Sequence, residues 1–334
     1  MERIGVGVVG CGFVGLGAHV SSFRKIEGSE LVAIADPDEP RRTKAANKYQ
    51  PKAAYADYAE LVRDPGVNVV VVSLPTPLHG PVAMAAIEAG KHVLCEMPLA
   101  ATLEEADQII AAAKKQGVIV MPSLTFRFTP NYVRAKQLLA EPGFGAATAL
   151  IYREFISAAD LAMQWPSGSW MWNLQTSGGP LFTLSVWSID MFRWLLEAEI
   201  EEVQGAAKYT VLDQYGGTLG YDGSVTMKLS TGTVGSLQYS GTVTPAASSS
   251  SLEIVGSSGQ VLKAKDNETL TVYGEQPRVA EWYLKEGGAR QWGHYQQNEY
   301  FTQCLLEGRT PSITPEDGRK AMEVALKIAQ IPTG

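Results

Sequence analysis

A glycine-rich hexapeptide directly follows the first apolar run and constrains the fold more than any other feature. The run Ile4–Val9 ends in Gly10-Cys11-Gly12-Phe13-Val14-Gly15, and a segment of helix length comes next. Glycines at these spacings permit a tight turn and let backbone N–H groups approach a pyrophosphate at the start of a helix. A second apolar run, Glu30–Ala35, ends in Asp36. The order strand, glycine turn, helix, strand and acid predicts a dinucleotide-binding β-α-β unit.

The acid at the end of the second strand bears on the choice of dinucleotide. A carboxylate there accepts hydrogen bonds from the adenosine ribose hydroxyls and repels a 2'-phosphate, so Asp36 favours NAD over NADP. Arg41 and Arg42 follow a few residues later. They are consistent with contact to a 2'-phosphate and equally with solvated arginines on a helix, so NADP stays open. We expect the cofactor to contact Gly10, Gly12, Phe13, Val14, Gly15 and Asp36.

Strands and helices continue to alternate as far as about residue 125. The valine-rich run Val67–Leu74 has the composition of a strand that is buried on both faces. Thr102 and Glu105 make a capping box for a helix that should end at about Gln116, before Gly117. This alternation predicts an α/β domain over residues 1–125 with a doubly wound parallel sheet.

The second half, residues 126–334, has a different pattern. Val225, Met227 and Leu229 alternate with polar residues, and a Thr231-Gly232-Thr233 turn follows. Period-two alternation predicts an α+β domain with a mostly antiparallel open sheet, and we expect a C-terminal helix to pack back toward the first domain. Such a sheet often supports association, so we expect a homodimer or homotetramer formed through it.

Composition excludes several classes of partner. The 334 residues carry a net charge of -7 without long charged runs, so nucleic acid is not an expected partner. No apolar stretch approaches the length of a membrane span, and the sparse cysteines form no Cys-x-x-Cys pair. We therefore expect a cytoplasmic protein without membrane contact. No cluster shows metal-ligand spacing, so no metal site is expected, and we interpret His19 and His294 as structural.

Further motifs resemble a known family. They are Pro75-Thr76-Pro77-Leu78-His79, Ala89-Gly90-Lys91-His92-Val93-Leu94-Cys95-Glu96-Met97-Pro98-Leu99-Ala100, Arg127-Phe128-Thr129-Pro130, Ser177-Gly178-Gly179 and Thr314-Pro315-Glu316-Asp317-Gly318. Together they are similar to the Gfo/Idh/MocA oxidoreductases over nearly the whole chain. The resemblance implies an N-terminal Rossmann domain that binds NAD or NADP. It also implies hydride transfer between the nicotinamide and a small-molecule substrate such as a sugar, inositol or related polyol.

The resemblance also implies roles for residues at the strand ends. Pro75, Thr76 and His79 follow the third long strand, and Glu96 follows the next one, where ligands bind in doubly wound sheets. We expect these four residues to contact the cofactor, with Glu96 at the nicotinamide end. His79 is also a candidate catalytic residue, although a packing role is equally open. Asp190 is the second catalytic candidate, because it persists where the neighbouring family pattern does not.

The departures from the family pattern concern proton transfer. The family usually reads Glu-Lys-Pro where this chain has Glu96-Met97-Pro98, and it usually has Asp and His where this chain has Thr183 and Trp187. A thioether, a neutral hydroxyl and an indole cannot serve as bases near neutral pH. Thr183 and Trp187 are four residues apart and should share one helix face. The candidate substrate pocket comprises Met97, Arg127, Trp170, Thr183 and Trp187.

Three hypotheses follow from these departures. The protein is a dehydrogenase or reductase in which another group moves the proton; candidates are His79, Asp190, Arg127, Tyr152 and a water chain. Alternatively, it binds the dinucleotide without turnover, as a non-catalytic subunit or sensor. In the third hypothesis it retains its cofactor tightly and catalyses a reaction without net redox change, such as a lyase or glycosidase step.

Overall fold

A computed structural model describes residues 3–283 and 292–331. The described residues form two compact units. The first unit draws on Met1–Phe128 and Gly287–Met322, and the second on Thr129–Glu286 and Glu323–Gly334. The sequence-based boundary at residues 125 and 126 stays a prediction.

The first unit contains a six-stranded sheet. Its strands are β1 (Ile4–Val9), β2 (Ser29–Ala35), β3 (Ala53–Tyr55), β4 (Val69–Val72), β5 (His92–Cys95) and β6 (Val120–Pro122). They are ordered β3-β2-β1-β4-β5-β6, and every pairing is parallel. The central strand β4 is completely buried, as its valine run predicts. The doubly wound sheet predicted from the sequence is thereby confirmed.

The second unit contains an eight-stranded sheet. Its strands are β7 (Ala147–Ser157), β8 (Ile200–Leu212), β9 (Thr218–Leu229), β10 (Val234–Val243), β11 (Ser249–Gly256), β12 (Val261–Lys265), β13 (Thr269–Tyr273) and β14 (Pro277–Trp282). Their order is β14-β13-β12-β11-β7-β10-β9-β8, and only the pairing of β10 with β7 is parallel within this sheet. The predicted mostly antiparallel sheet is confirmed, including the turn at Thr231–Thr233, where Gly232 N donates to Leu229 O.

Helices accompany both sheets. Within the described residues the α-helices are α1 (Ser21–Phe23), α2 (Glu39–Tyr49), α3 (Tyr58–Arg63), α4 (His79–Glu88), α5 (Leu103–Gln116), α6 (Pro130–Leu139), α7 (Ala158–Gln164), α8 (Leu174–Ser177), α9 (Gly179–Leu196), α10 (His294–Glu307) and α11 (Pro315–Ala329). Thr102 accepts a hydrogen bond from Glu105 N at the start of α5, and Gly117 ends that helix in a left-handed conformation, as predicted. A π-helix, Gly15–Val20, precedes α1. Shorter 3-10 turns lie at Thr76–Leu78, Thr125–Phe128, Trp170–Trp172, Asp213–Tyr215 and Pro245–Ala247.

The two faces of the eight-stranded sheet differ in burial. Leu150 and Tyr152 of β7 are buried, whereas Ile151 between them is 46% exposed. Val234 of β10, which is 58% exposed, pairs with Ala149 and so belongs to the same outer face as Ile151. Association through this sheet stays a prediction. Among the described residues, no helix has the length and apolar character that crossing a bilayer requires.

Candidate active site

The glycine loop lies at the carboxyl end of β1, and two of its glycines leave no room for a side chain. Gly10 has a φ of +103°, and a Cβ on it would lie 2.0 Å from Ser73 O. A Cβ on Gly15 would lie 1.9 Å from Gly10 O. These two glycines are therefore needed for close backbone packing within the loop and against the segment that follows β4.

Gly12 has the opposite environment, because a Cβ on it would meet no atom within 4 Å. Its open side is the cradle in which a pyrophosphate would lie, beside the N–H groups of Phe13 and Val14 at the start of the helix. Phe13 is 66% exposed, and its ring centroid lies 6.1 Å from that of Trp292. The loop thus fits a dinucleotide, with Gly12 as the position at which a side chain would fill the cradle.

Asp36 is fixed at the end of β2 by the loop itself. Its Oδ2 accepts a hydrogen bond from Cys11 N at 2.8 Å, and its Oδ1 accepts one from Asp38 N at 2.9 Å. The carboxylate is 6% exposed, and its remaining lone pairs can accept ribose hydroxyls. Arg42, one of the two arginines that could contact a 2'-phosphate, donates through its Nη1 to the backbone carbonyl of Asp36 at 2.7 Å.

His79 holds two backbone segments together. Its Nδ1 lies 2.6 Å from Pro98 O and its Nε2 lies 2.7 Å from Leu74 O, so both ring nitrogens face carbonyl acceptors. The side chain is 1% exposed, and burial lowers its pKa. These contacts favour a positioning role for the segments after β4 and β5. Its proposed roles in catalysis and cofactor contact stay predictions. Pro75 and Thr76 begin the short turn before it, and Thr76 is completely buried.

Glu96 lies at the centre of a buried polar cluster. Its Oε1 lies 2.8 Å from His19 Nε2 and 3.3 Å from His294 Nε2, and it accepts a hydrogen bond from Ser123 Oγ at 2.7 Å. Gln297 donates to that hydroxyl at 2.9 Å. Burial raises the pKa of Glu96, but hydrogen bonds from the two histidines outweigh it and hold the pKa far below its ordinary value. We expect an ionised carboxylate.

Two of the candidate pocket residues belong to the first unit. Met97 is 3% exposed, and a methyl group added at Gly318 of α11 would lie 3.4 Å from its sulfur. Arg127 lies 3.3 Å from Asp317 through its Nη2, in a partly buried ion pair at the start of α11. Met97 is therefore surrounded by packing contacts, and Arg127 already has an acidic partner.

The remaining pocket residues belong to the second unit. Thr183 and Trp187 lie on α9, where Thr183 is buried and Trp187 is partly buried. Thr183 Oγ1 donates to Ser177 O at 3.4 Å, which ties the hydroxyl to the preceding turn. Trp170 begins a 3-10 turn and is partly buried. The pocket that these residues would form with Met97 and Arg127 stays a prediction.

Asp190 lies further along α9 and takes part in an ion-pair network. Its Oδ1 is 3.7 Å from Arg193 Nη1, and Arg193 also makes two hydrogen bonds to Glu199, at 2.7 and 3.0 Å. Asp190 is 1% exposed. This arrangement gives the buried carboxylate a compensating cation, which is a structural function. Its catalytic role stays a prediction.

Sequence reasoning missed Glu154. This residue of β7 lies among buried tyrosines: Tyr152 Oη donates to Glu154 Oε1 at 3.2 Å, and Tyr239 pairs with Glu154 across the sheet. Burial raises the pKa of Glu154 to about 7, only partly offset by the Tyr152 hydrogen bond. The signal was available, because Glu154 shares the inward face of β7 with Leu150 and Tyr152.

The histidine–glutamate cluster was missed for a different reason. His19 and Glu96 are 77 residues apart in the chain, and His294 lies far beyond them. Spacing along a sequence reveals ligands that share a loop or helix, but it cannot show three segments that converge in space. No spacing in the sequence therefore reveals the cluster, and the interpretation of His19 and His294 as structural residues considers each of them separately.

Two family models match most of the chain. The model of an oxidoreductase family with an NAD-binding Rossmann fold matches residues 4–124, and the model of the GFO/IDH/MocA C-terminal domain matches residues 132–262.

Individual relatives agree with the family models. The chain is 29% identical over 231 residues to a myo-inositol 2-dehydrogenase of Thermotoga maritima, covering 69% of this chain and 66% of that protein. It is 35% identical over 201 residues to an inositol 2-dehydrogenase 1 of Saccharopolyspora erythraea, covering 59% and 56%. The matched regions thus span less than two thirds of these relatives' own lengths.

Solved structures share the fold over nearly the full length. GenD2 from gentamicin A biosynthesis, in complex with NAD, is 27% identical with a TM-score of 0.81, covering 98% of this chain and 93% of that one. Levoglucosan dehydrogenase in complex with NADH and levoglucosan has a TM-score of 0.83 at 21% identity, covering 98% and 96%. The second likeness concerns the fold alone.

Proposed function

The chain belongs to the Gfo/Idh/MocA oxidoreductase family and has its NAD-binding Rossmann fold, and on this premise we propose that it is an NAD-dependent oxidoreductase acting on a sugar or polyol. The reaction would interconvert a secondary alcohol and a carbonyl. Relatives named as inositol dehydrogenases support this substrate class.

One observation carries the proposal, namely the geometry of the glycine loop. The open cradle at Gly12 and the Asp36 carboxylate held by Cys11 N together suit a pyrophosphate and an adenosine ribose. Cys11, the neighbour of Gly12 in the loop, donates through its N to Asp36 Oδ2 at 2.8 Å, and this bond holds the carboxylate beside the loop. The same carboxylate favours NAD over NADP.

The bound nicotinamide supplies the hydride acceptor or donor, and the chain's own residues supply binding and proton transfer. The substrate hydroxyl proton cannot pass to Met97, Thr183 or Trp187, because none of these side chains is basic near neutral pH. Glu154 carries a carboxyl group with a pKa of about 7, which suits it to hold or release a proton under physiological conditions. We assign proton handling to Glu154, ahead of His79 and Asp190, whose polar atoms already face backbone carbonyls and Arg193.

A second function competes with the first, and a specific observation favours it. Three positions at which the family usually has ionisable side chains are Met97, Thr183 and Trp187 in this chain. A dinucleotide-binding subunit or sensor would tolerate such changes. An enzyme that retains NAD tightly and catalyses a lyase or glycosidase step would tolerate them too, because its NAD is reduced and reoxidised within one catalytic cycle.

A screen for turnover distinguishes these functions. Purified protein is first examined for retained cofactor, and reduction of NAD(P)+ or oxidation of NAD(P)H is then measured with polyols, ketoses and other carbonyl compounds. Net turnover supports the oxidoreductase. Reversible cofactor binding without turnover supports the binder, and tightly retained cofactor with substrate conversion but no net redox change supports the third function. Location in the cytoplasm and assembly through the eight-stranded sheet are further predictions, tested by fractionation and by light scattering.

A further inference from the structure

Three side chains of the first unit converge in its core, and we propose that His19, Glu96 and His294 form a site for a divalent transition metal ion of the zinc class. His19 belongs to the π-helix, Glu96 follows β5, and His294 begins α10. Their ligand atoms lie within 4.8 Å of one another. This site does not depend on the hydride transfer proposed above.

The distances within the cluster suit shared coordination. Two atoms that each lie about 2.0–2.1 Å from a zinc ion, at angles near those of tetrahedral or octahedral geometry, are about 2.9–3.4 Å apart. Glu96 Oε1 lies 2.8 Å from His19 Nε2 and 3.3 Å from His294 Nε2. The carboxylate oxygen therefore already stands close to ligand spacing from both ring nitrogens, and binding requires mainly that the two imidazoles approach one another.

Without a metal ion, Glu96 Oε1 would have to accept hydrogen bonds from three groups. Glu96 Oε1 faces both histidine nitrogens and also accepts from Ser123 Oγ at 2.7 Å. A carboxylate oxygen offers about two lone-pair positions, so three donors exceed its capacity. With a metal ion between the rings and Glu96, the two nitrogens contribute lone pairs instead of protons. Ser123 then remains as the hydrogen-bond donor to the carboxylate.

The burial and the charge of these three residues also favour a bound cation. The three residues are 0%, 7% and 5% exposed for His19, Glu96 and His294. A carboxylate so far from water requires a compensating positive charge. A divalent cation provides that charge. Two imidazole nitrogens and one carboxylate oxygen suit zinc or cobalt, whereas magnesium and calcium prefer oxygen ligands alone.

A buried side chain near His19 can accept a hydrogen bond from the ring nitrogen that would not bind the metal. Metal-binding histidines usually donate their second ring N–H to a carbonyl or carboxylate. Asn298 of α10 is completely buried and lies beside His19. Within the described chain, His19 Nδ1 and both amide atoms of Asn298 have no partner in good hydrogen-bond geometry. Asn298 is thus placed to accept from Nδ1 when Nε2 binds the metal.

Metal binding is measured directly on untagged, full-length protein. The protein is dialysed against a strong chelator, equilibrated with Zn2+ or Co2+, and its metal content is determined by mass spectrometry. We expect about one ion per chain and a visible Co2+ spectrum of nitrogen and oxygen coordination. Wild-type protein that is folded and binds NADH but takes up no Zn2+ or Co2+ would overturn the proposal.

Variants locate the ion. His294→Gln and Glu96→Gln should each weaken Zn2+ binding by at least about tenfold, a typical effect of removing a ligand or its support. His92→Gln is the matched control, because His92 accepts from Ile119 N outside the cluster and its loss should leave metal binding unchanged. His294→Cys retains a ligand and should add a thiolate charge-transfer band to the Co2+ spectrum. Binding that is equal in all four variants, or a folded Cys variant that binds Co2+ without that band, would contradict the site.

Discussion

Replacing Glu154 with glutamine should remove a pH-dependent loss of stability. In the unfolded chain this carboxyl ionises near pH 4.5, whereas burial among the tyrosines of the second unit raises its pKa to about 7. Below pH 4.5 both states hold the proton, so ionisation has no effect on folding. Between these values the unfolded chain gives up its proton first, and the folded protein loses stability as the pH rises.

The magnitude follows from the two pKa values. A rise from 4.5 to about 7 corresponds to about 3 kcal/mol, because each tenfold change in proton affinity is worth about 1.4 kcal/mol. Glu154 is partly rather than fully buried by surface area, so water reduces this figure and about 2 kcal/mol is a reasonable lower expectation. The uncharged amide of glutamine can still accept the hydrogen bond from Tyr152 Oη.

Urea unfolding at pH 4.5, 6 and 8, followed by tryptophan fluorescence, measures the effect. Glu154→Gln should match wild type at the lowest pH and exceed it by about 2–3 kcal/mol at pH 8. The matched control is Glu202→Gln, which removes an exposed carboxylate paired with Lys228 and should change stability by less than about 1 kcal/mol at every pH. Parallel pH profiles for wild type and Glu154→Gln would refute the assignment of a raised pKa to this residue.

Three further changes test the candidate active site. Gly12→Val should weaken NADH binding by about 100-fold or more. It should leave the melting temperature of cofactor-free protein unchanged, because the valine side chain enters open space. Gly17→Ala, which also enters open space, is the control, and equal NADH affinity in both variants would argue against the cradle. Asp36→Asn should raise the affinity for NADPH relative to NADH by about tenfold, because it removes a negative charge that would face the 2'-phosphate. An unchanged ratio of the two affinities would show that Asp36 does not select the cofactor. Met97→Lys alone should not create robust sugar dehydrogenase activity, because Thr183 and Trp187 also lack basicity; strong turnover by that single variant would contradict this reasoning.

The first unit was predictable because its signals are local. Strand β4 is apolar from end to end, the Thr102–Glu105 capping box begins α5, and Gly10 has a φ of +103°, which favours glycine. Each of these depends on neighbours in the chain or on steric limits of the backbone. The doubly wound sheet and the glycine loop follow from them without knowledge of distant contacts.

The candidate site was less predictable because its properties arise from distant contacts. The position of His79 suggests a proton carrier, whereas its contacts with Leu74 O and Pro98 O depend on segments that only the structure brings together. The raised pKa of Glu154 results from its burial in the second unit, which depends on strand pairings such as that of Glu154 with Tyr239 on β10. Asp190 is the exception, because its partner Arg193 lies one helical turn away, a contact that i, i+3 spacing could have suggested.

Isotope transfer shows whether a hydride passes between a substrate and bound NAD. Wild-type protein is incubated with NAD+ and carbon-deuterated inositols and aldoses, and the nicotinamide is then analysed by mass spectrometry, with Gly12→Val as the blank. This measurement also detects transfer when the cofactor is retained and recycled. We expect deuterium on the nicotinamide after incubation with wild type and none after incubation with Gly12→Val. Wild-type protein that binds NAD+ yet acquires no deuterium from any of these compounds would contradict it and favour the non-catalytic binder.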